Sequence, residues 1–316
     1  MATEKPGIRT GHPTKQRNEM FFKNLQIYRL PENWNIGIQK LSECLERGPF
    51  VKCPSNLPKS RGWVSPTNNG ELVYSLAGQW LIALKTEEKI LPSSVINQEV
   101  KERSEALETQ QGYKPGRKQI KELKERVIEE LMPRAFTKHR TTNIWIDPFS
   151  GWFVVDAGSQ NKAEEVIEHL RHCLDDFPLT MLHTKLSPVS AMADWIACGD
   201  APAGFTIDRD CELKSPDEEK SAVKFTHHSL DDGKAKEHLA EGKLPTKLAL
   251  TFDNRISFVL TDKMEVKRVA LLDIIECEKA DNAQEQFDSD FALMAGEFKR
   301  LIAELVEDLG GEVKEE

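Results

Sequence analysis

The sequence has 316 residues, 39% of them hydrophobic and 30% charged, and a formal net charge of -9. That length suits two or three domains with a buried core, and no apolar run approaches the ~20 residues that cross a bilayer, which predicts a soluble protein. The six cysteines, at 44, 53, 173, 198, 211 and 277, include no CxxC pair, which argues against a disulfide framework or structural zinc and for a reducing cytoplasm.

Residues 1-19 carry Lys5, Arg9, Lys15 and Arg17 but no apolar h-region. They read as a disordered leader, not a secretory signal, with folded structure starting at Met20-Phe21-Phe22. Residues 22-30 alternate polar and apolar and predict a strand closed by Pro31. A short helix with Ile36, Leu41, Cys44 and Leu45 follows and stops at Gly48-Pro49. Gly62-Trp63-Val64 is a short strand. Residues 72-76 and 80-85 form a hairpin about Ala77-Gly78, where glycine supplies the positive φ such turns need, and residues 85-92 lead out of the sheet.

Ser93 or Ser94 caps a first long helix whose apolar stripe is narrow: Ile96, Val100 and Leu107. Gly112-Tyr113-Lys114-Pro115-Gly116 breaks it. A second helix carries Ile120, Leu123, Val127 and Leu131 at helical spacing. Two helices of about 17 residues joined by a short loop predict an antiparallel arm about 25 Å long.

Beyond it, residues 141-147 and 152-156 form a hairpin, 163-174 a helix, 180-183 a strand and 191-197 a short helix ending at Gly199. Residues 205-227 read as strand, acidic loop and strand, and 231-241 as a helix closed by Gly242. The clearest β segment is a meander over 247-252, 255-260 and 265-271, with one apolar face from Leu248, Leu250, Phe252, Ile256, Phe258 and Leu260. A last helix over 287-309 ends at Gly310-Gly311, before a frayed acidic tail.

His169 and His172, three apart on a helix, could offer a metal two imidazoles but have no third ligand at useful spacing. His227-His228 sits in a predicted strand, so its rings point to opposite faces. Asp147 and Asp156 could be paired carboxylates of a metal-dependent nuclease, although turn chemistry explains both. Neither a phosphate-cradling glycine loop nor GxSxG occurs. The sequence offers no active site and implies no cofactor.

Charge, in contrast, is segregated. Residues 114-140 hold nine Lys/Arg against four Asp/Glu, a local +5, and residues 281-316 hold eleven acids against three bases, or -8. Arg117, Lys118, Lys121 and Lys124 sit beside the apolar stripe of the second helix, and Arg134, Lys138, His139 and Arg140 extend the positive strip with no acid before Asp147. Such a strip is either a solvated face balanced by Glu122, Glu125, Glu129 and Glu130 or a phosphate-binding edge. Phe136, beyond Pro133, is either a staple tucked under the arm or an aromatic knob for a partner.

Six stretches resemble the bacterial recombination-associated RdgC family: residues 20-30 (MFFKNLQIYRL), 85-92 (KTEEKILP), 131-136 (LMPRAF), 246-250 (TKLAL), 288-294 (DSDFALM) and 309-312 (LGGE). They occur in the family's order and cover the chain from Met20 onward, leaving the leader outside. The resemblance implies a non-enzymatic DNA-binding protein of the nucleoid. Family members form ring-shaped homodimers around duplex DNA, show little sequence preference and restrain the RecA recombinase. It places Phe136 near the tip contact that closes the ring. Where some relatives carry a basic pair this chain has His227-His228, and imidazoles, mostly uncharged at pH 7, would make a weaker and pH-sensitive contact there.

The expected fold is therefore α+β, a ring-shaped homodimer with a mixed central region (20-90 and 137-177), a protruding antiparallel helical arm (91-136) and a β-rich base with a C-terminal helix (178-316). The expected phosphate contacts are Lys114, Arg117, Lys118, Lys121 and Lys124, helped by Arg134, Lys138 and Arg140, with the inner lining basic and the outer surface, including residues 281-316, acidic. The expected partners are double-stranded and single-stranded DNA, a second copy of the chain and, functionally, RecA. The expected setting is the nucleoid in the cytoplasm. The alternative is an interaction protein acting directly on the recombinase with DNA incidental, and a minor alternative is the metal-dependent nuclease.

Overall fold

The computed structural model describes residues 22-32, 34-67, 69-174, 177-217, 221-230, 232-272 and 282-313. The predicted leader, part of the acidic loop and Cys277 lie outside them. Within them the chain is α+β, with seven helices and a large antiparallel sheet.

The strand at the centre of that sheet keeps the predicted alternation but buries both faces. In β1 (Asn24–Arg29), Leu25 and Ile27 enter one core cluster and Tyr28 the other. Gln26 is buried too, and its amide donates to Ala157 O and Glu265 Oε1, both at 3.2 Å, which satisfies the group where water cannot. The reason is position. Residues 26-29 pair with β6 (Trp152–Val155), Asn24 and Leu25 pair with β12 (Val266–Leu271), and β7 (Thr180–Met181) adds to its end.

On one side the sheet runs outward from β6 to β5 (Phe136–Asp147), β4 (Gln79–Ile90) and β2 (Lys59–Val64), with β3 (Tyr74–Leu76) also on β4. On the other it runs from β12 to β11 (Ile256–Thr261), β10 (Leu244–Phe252), β8 (Phe205–Lys214) and β9 (Ala222–Phe225). The β3–β4 hairpin turns at Ala77-Gly78 with both residues at positive φ. The six apolar residues expected on one face of the meander all enter a single core cluster.

Helices α1 (Ile38–Leu45) and α4 (Gln160–Cys173) cover one face of the first half-sheet through Leu41, Leu45, Val166, Ile167 and Leu170. Helices α5 (Pro188–Cys198), α6 (Lys234–Ala240) and α7 (Ala283–Asp308) contribute to the other cluster. At 26 residues α7 is about 39 Å long. Its stripe of Phe291, Met294, Phe298, Leu301 and Leu305 recurs at helical spacing and is fully buried. The Phe298 ring meets Phe22 at 5.8 Å and Trp145 at 6.1 Å, so α7 is fastened to β5 and to the segment entering β1. The helix starts earlier than the apolar pattern suggests because Asn282 caps it, its side chain accepting from Glu285 N at 2.8 Å.

Three expectations change. Residues 85-90 do not leave the sheet: β4 continues through Ile90, paired residue for residue with β5 from Phe136 to Thr141. His227 and His228 are not in a strand. They follow β9, His227 has φ 52°, its N–H donates to Asp210 Oδ1, and His228 Nε2 lies 3.6 Å from Asp232 Oδ2. Nor does every acid after residue 281 face outward. Asp290 and Glu297 are buried, and Glu297 Oε1 accepts from Arg255 Nε at 2.9 Å and Nη2 at 2.6 Å. A helix with a buried stripe carries some of its acids inward, where a partner must neutralise them.

Candidate nucleic-acid interface

Between the two long strands of the first half-sheet lie α2 (Ser93–Gln111) and α3 (Arg117–Leu131). Each has too narrow an apolar stripe to enter a core, so they bury Ile96, Val100 and Val127 against one another, with Ile120, Leu123 and Leu131 half-buried beside them. Gly112 turns the chain with φ 79°. Arg103 on α2 donates to Glu130 on α3 at 2.7 Å, and Gln119 donates to Gln111 at 3.2 Å. The two contacts pair rising with falling residue numbers, so the helices are antiparallel. At the other end Lys89 Nζ donates to Met132 O at 3.0 Å, tying the pair to β4.

On α3, Arg117, Lys121 and Lys124 fall in a strip about 60° wide and about 10 Å long, with Lys118 about 60° to one side. All four, with Lys114 in the loop, are exposed. Among the described residues only Lys121 of the five has a carboxylate within 4 Å, Glu125 at 3.9 Å. Of the glutamates expected to balance the strip, Glu125 lies beside Lys121, while Glu130 is taken by Arg103, whose hydrogen bond holds its carboxyl below the usual range. The cations are left facing water.

Arg134 stands in the 3-10 turn Met132–Arg134, and Phe136 opens β5. Phe136 is 85% exposed and is paired across the strands with Ile90, itself 47% exposed. It is not a staple under the helices.

The structure does not bring Lys138 and Arg140 together with the α3 strip. Instead they join three residues that sequence reasoning missed: Lys59 and Arg61 on β2, and Lys162 on α4. The register sets Lys59, Glu88 and Lys138 on one rung across three strands, and Arg61, Thr86 and Arg140 on the next. Residues on one rung share a face. No periodic signal announces this cluster. A charged alternation in each of two strands is the available hint, and it has no meaning until the register is known.

The other half-sheet has cations on its open face as well, but three of them share one carboxylate. Glu212 is buried at its centre, within 3.2 Å of Lys214, Lys224 and Lys247. Burial pushes its carboxyl up, yet hydrogen bonds from the three lysines and Thr246 outweigh burial and hold it at about 2, against an ordinary 4.5. This contributes stability that is fully present above about pH 4.5 and lost as pH falls from there toward 2. Glu212→Gln is therefore expected to cost about 1–2 kcal/mol at pH 7, after allowance for screening at the exposed lysines. The gap to wild type should narrow below about pH 4.5 and close near pH 2. Urea unfolding across that range measures it, and a gap independent of pH would contradict the assignment.

The proposed pairs of metal ligands do not form. His169 packs on Trp63 at 5.6 Å between ring centroids, while His172 is exposed. Asp147 accepts from Phe149 N and Ser150 N, each at 3.0 Å, as the turn reading expects. Asp156 has another role, accepting from Lys23 N and Asn24 N to hold the start of β1. Asp156 N bonds to Asn143 O, and Asp147 lies four residues farther along β5, about 13 Å away. The two carboxylates cannot share an ion. Among the described residues no group of three or more His, Cys, Asp or Glu is placed to hold a metal, and no helix is long and apolar enough to cross a membrane.

The chain is thus an α+β protein that groups cations without carboxylate partners, among the described residues, on one helix pair and on one three-strand face. It belongs to the RdgC family. A family model described as "Putative exonuclease, RdgC" matches residues 20–312. The chain is 68% identical over 302 residues to the recombination-associated protein RdgC of Dechloromonas aromatica (strain RCB), covering 94% of this chain and 99% of the relative. It is 50% identical over 299 residues to the protein of that name from Janthinobacterium sp. (strain Marseille), covering 93% of this chain and 99% of the relative. Its role is accordingly associated with recombination.

Proposed function

We propose that the chain is a non-enzymatic DNA-binding protein that encircles duplex DNA as a ring-shaped homodimer, with little sequence preference, and restrains RecA-mediated recombination in the cytoplasmic nucleoid. The observation that carries this reading is the α3 strip, in which four of five exposed cations have no carboxylate within 4 Å among the described residues. Cations grouped this closely repel one another and make a local positive field in a chain of net charge -9, which a polyanion would neutralise. Contacts from such a strip to phosphates position the duplex without reading its sequence.

The helix pair serves as a protruding arm, and the exposed Phe136 at its root supplies the apolar contact between two copies. Lys114, Arg117, Lys118, Lys121 and Lys124 contact the duplex, helped by Arg134, Lys138 and Arg140, and single strands bind through the same groups. The "exonuclease" of the family description finds no support in Asp147 and Asp156, which stand apart and are each used in the fold.

Occupancy of DNA, not contact with the recombinase, is the mechanism of restraint. In a strand-exchange assay, inhibition is expected to disappear when duplex sites are in large excess over the protein. Inhibition that persists there would assign the effect to direct contact between the two proteins.

A further inference from the structure

The three-strand face beside α4 forms a cleft lined by Lys59, Arg61, Lys138, Arg140 and Lys162, with Thr86, Glu88 and Glu165 among them. Five cations against two carboxylates give it a local charge of +3. Two of the cations are already engaged: Lys59 Nζ donates to Glu165 Oε2 at 2.5 Å, and Arg61 Nη1 donates to Glu165 O at 3.0 Å. That engagement holds the Glu165 carboxyl below its usual range, chiefly through Lys59.

Lys138, Arg140 and Lys162 have no carboxylate within 4 Å among the described residues. Glu88 is their neighbour by register only, and Asp156 feels Arg140 at longer range.

The sheet fixes the spacing. Outer strands of a three-strand set are about 10 Å apart, and alternate residues along a strand about 7 Å. Lys59, Arg61, Lys138 and Arg140 therefore rise from the corners of a frame about 10 by 7 Å, with the small Thr86 at the middle of one side and α4 closing the top. Their side chains are long enough to converge on one group over Thr86, whose hydroxyl is a further donor.

A cleft of about 270 Å³ admits one phosphate with part of its ester, not a duplex. The backbone holding Arg61 is equally fixed. Pro49 and Phe50 cross β2 at Gly62, where an added Cβ would lie 2.3 Å from Phe50 Cα.

We propose that this cleft is a binding site for a phosphate monoester dianion, presented by the end of a nucleic-acid strand or by a free nucleotide. A local +3 favours a dianion over the single charge of each internal phosphodiester, and confinement under α4 favours a terminal group over a threaded chain. Arg140 and Lys138 grip the phosphate, Lys162 closes on it from α4, and Arg61, oriented by Glu165, completes the far corner. The site shares Lys138 and Arg140 with the proposed duplex contacts but takes none of its residues from the α3 strip.

The test uses the full chain and two 12-nucleotide single strands, alike except for a 5′-phosphate or a 5′-hydroxyl, followed by fluorescence anisotropy. Wild type is expected to prefer the phosphorylated strand five- to tenfold. Arg61→Gln and Lys162→Gln should abolish the preference while leaving affinity for the hydroxyl strand within twofold. Lys118→Gln should do the reverse, weakening both strands and keeping the preference.

Adenosine monophosphate added as competitor separates the sources. If it erases the preference at millimolar concentration, the site takes free nucleotides as well. If it does not, the site takes strand ends. Equal binding of the two strands by wild type, or a preference that survives both cleft variants, would overturn the proposal. Loss of all binding in Lys118→Gln with the preference unmeasurable is avoided by working at low salt, where nonspecific contact is strongest.

Discussion

Lys118→Glu combined with Lys121→Glu is expected to weaken duplex binding about 100-fold near 0.1 M salt and to flatten its salt dependence. The substitution turns the middle of the α3 strip from attractive to repulsive without touching the helix stripe, since both side chains are exposed and Lys121 has only a 3.9 Å neighbour to lose. Four to six phosphate contacts give a log-log slope of about -4 to -5 on duplex DNA, and removing two should bring it to about -2 to -3.

The slope is the informative quantity. A structural disturbance would lower affinity at every salt concentration alike, whereas loss of phosphate contacts makes the gap shrink as salt rises. Unchanged affinity and slope would remove α3 from the interface and leave Arg134 and the β5 cations to carry binding. Circular dichroism at 222 nm should be unaltered, because the replaced residues are exposed and glutamate is as good a helix former as lysine.

How much of this was readable from the chain depends on whether a segment's signal is local. The helix pair was, because Ile120, Leu123, Val127 and Leu131 repeat at helical spacing and Gly112 marks the turn. The meander was as well, since its six apolar residues alternate and meet one cluster. The cationic strip on α3 follows directly from the same helical phase.

The ribbon formed by residues 85-90 and 136-141 was not. Its residues are nearly all charged or polar, so alternation says nothing about burial. The strands are held by backbone pairing and by Glu87, buried under the ribbon, whose Oε2 accepts from Cys53 N at 2.7 Å. The cleft is one step further from view. Lys59, Arg61 and Lys162 come from distant parts of the chain, and only the register of β2 on β4 and of β4 on β5 assembles them with Lys138 and Arg140. Charge balance is equally nonlocal. Lys214, Lys224 and Lys247 look as basic in sequence as the lysines of α3, yet all three are engaged by one buried carboxylate, Glu212. Which cations remain for a partner is decided by tertiary contacts.

Phe136→Ala should leave each subunit folded and yet remove stable retention on covalently closed circular DNA. Phe136 is 85% exposed and is paired across the ribbon with Ile90, so loss of its ring should change the stability of the subunit by no more than about 0.5 kcal/mol. If two copies meet there about a two-fold axis, each removed ring is lost twice. A buried aromatic anchor is worth about 2 kcal/mol or more at an interface, so the closing contact would lose about 2–4 kcal/mol and opening would become roughly 30- to 1,000-fold easier.

Binding to short linear duplexes depends on phosphates and should fall little. Retention on closed circles after a salt jump depends on the ring staying shut and should collapse. A second contact between copies should keep the variant dimeric on a sizing column. Monomers there would make Phe136 part of the principal interface, and full retention on circles would exclude it from ring closure altogether. Ile90→Ser offers the matched control: it exposes the same rung of the ribbon while keeping the Phe136 ring. Weaker retention with Phe136→Ala than with Ile90→Ser would identify the aromatic ring itself, and not the apolar rung, as the latch.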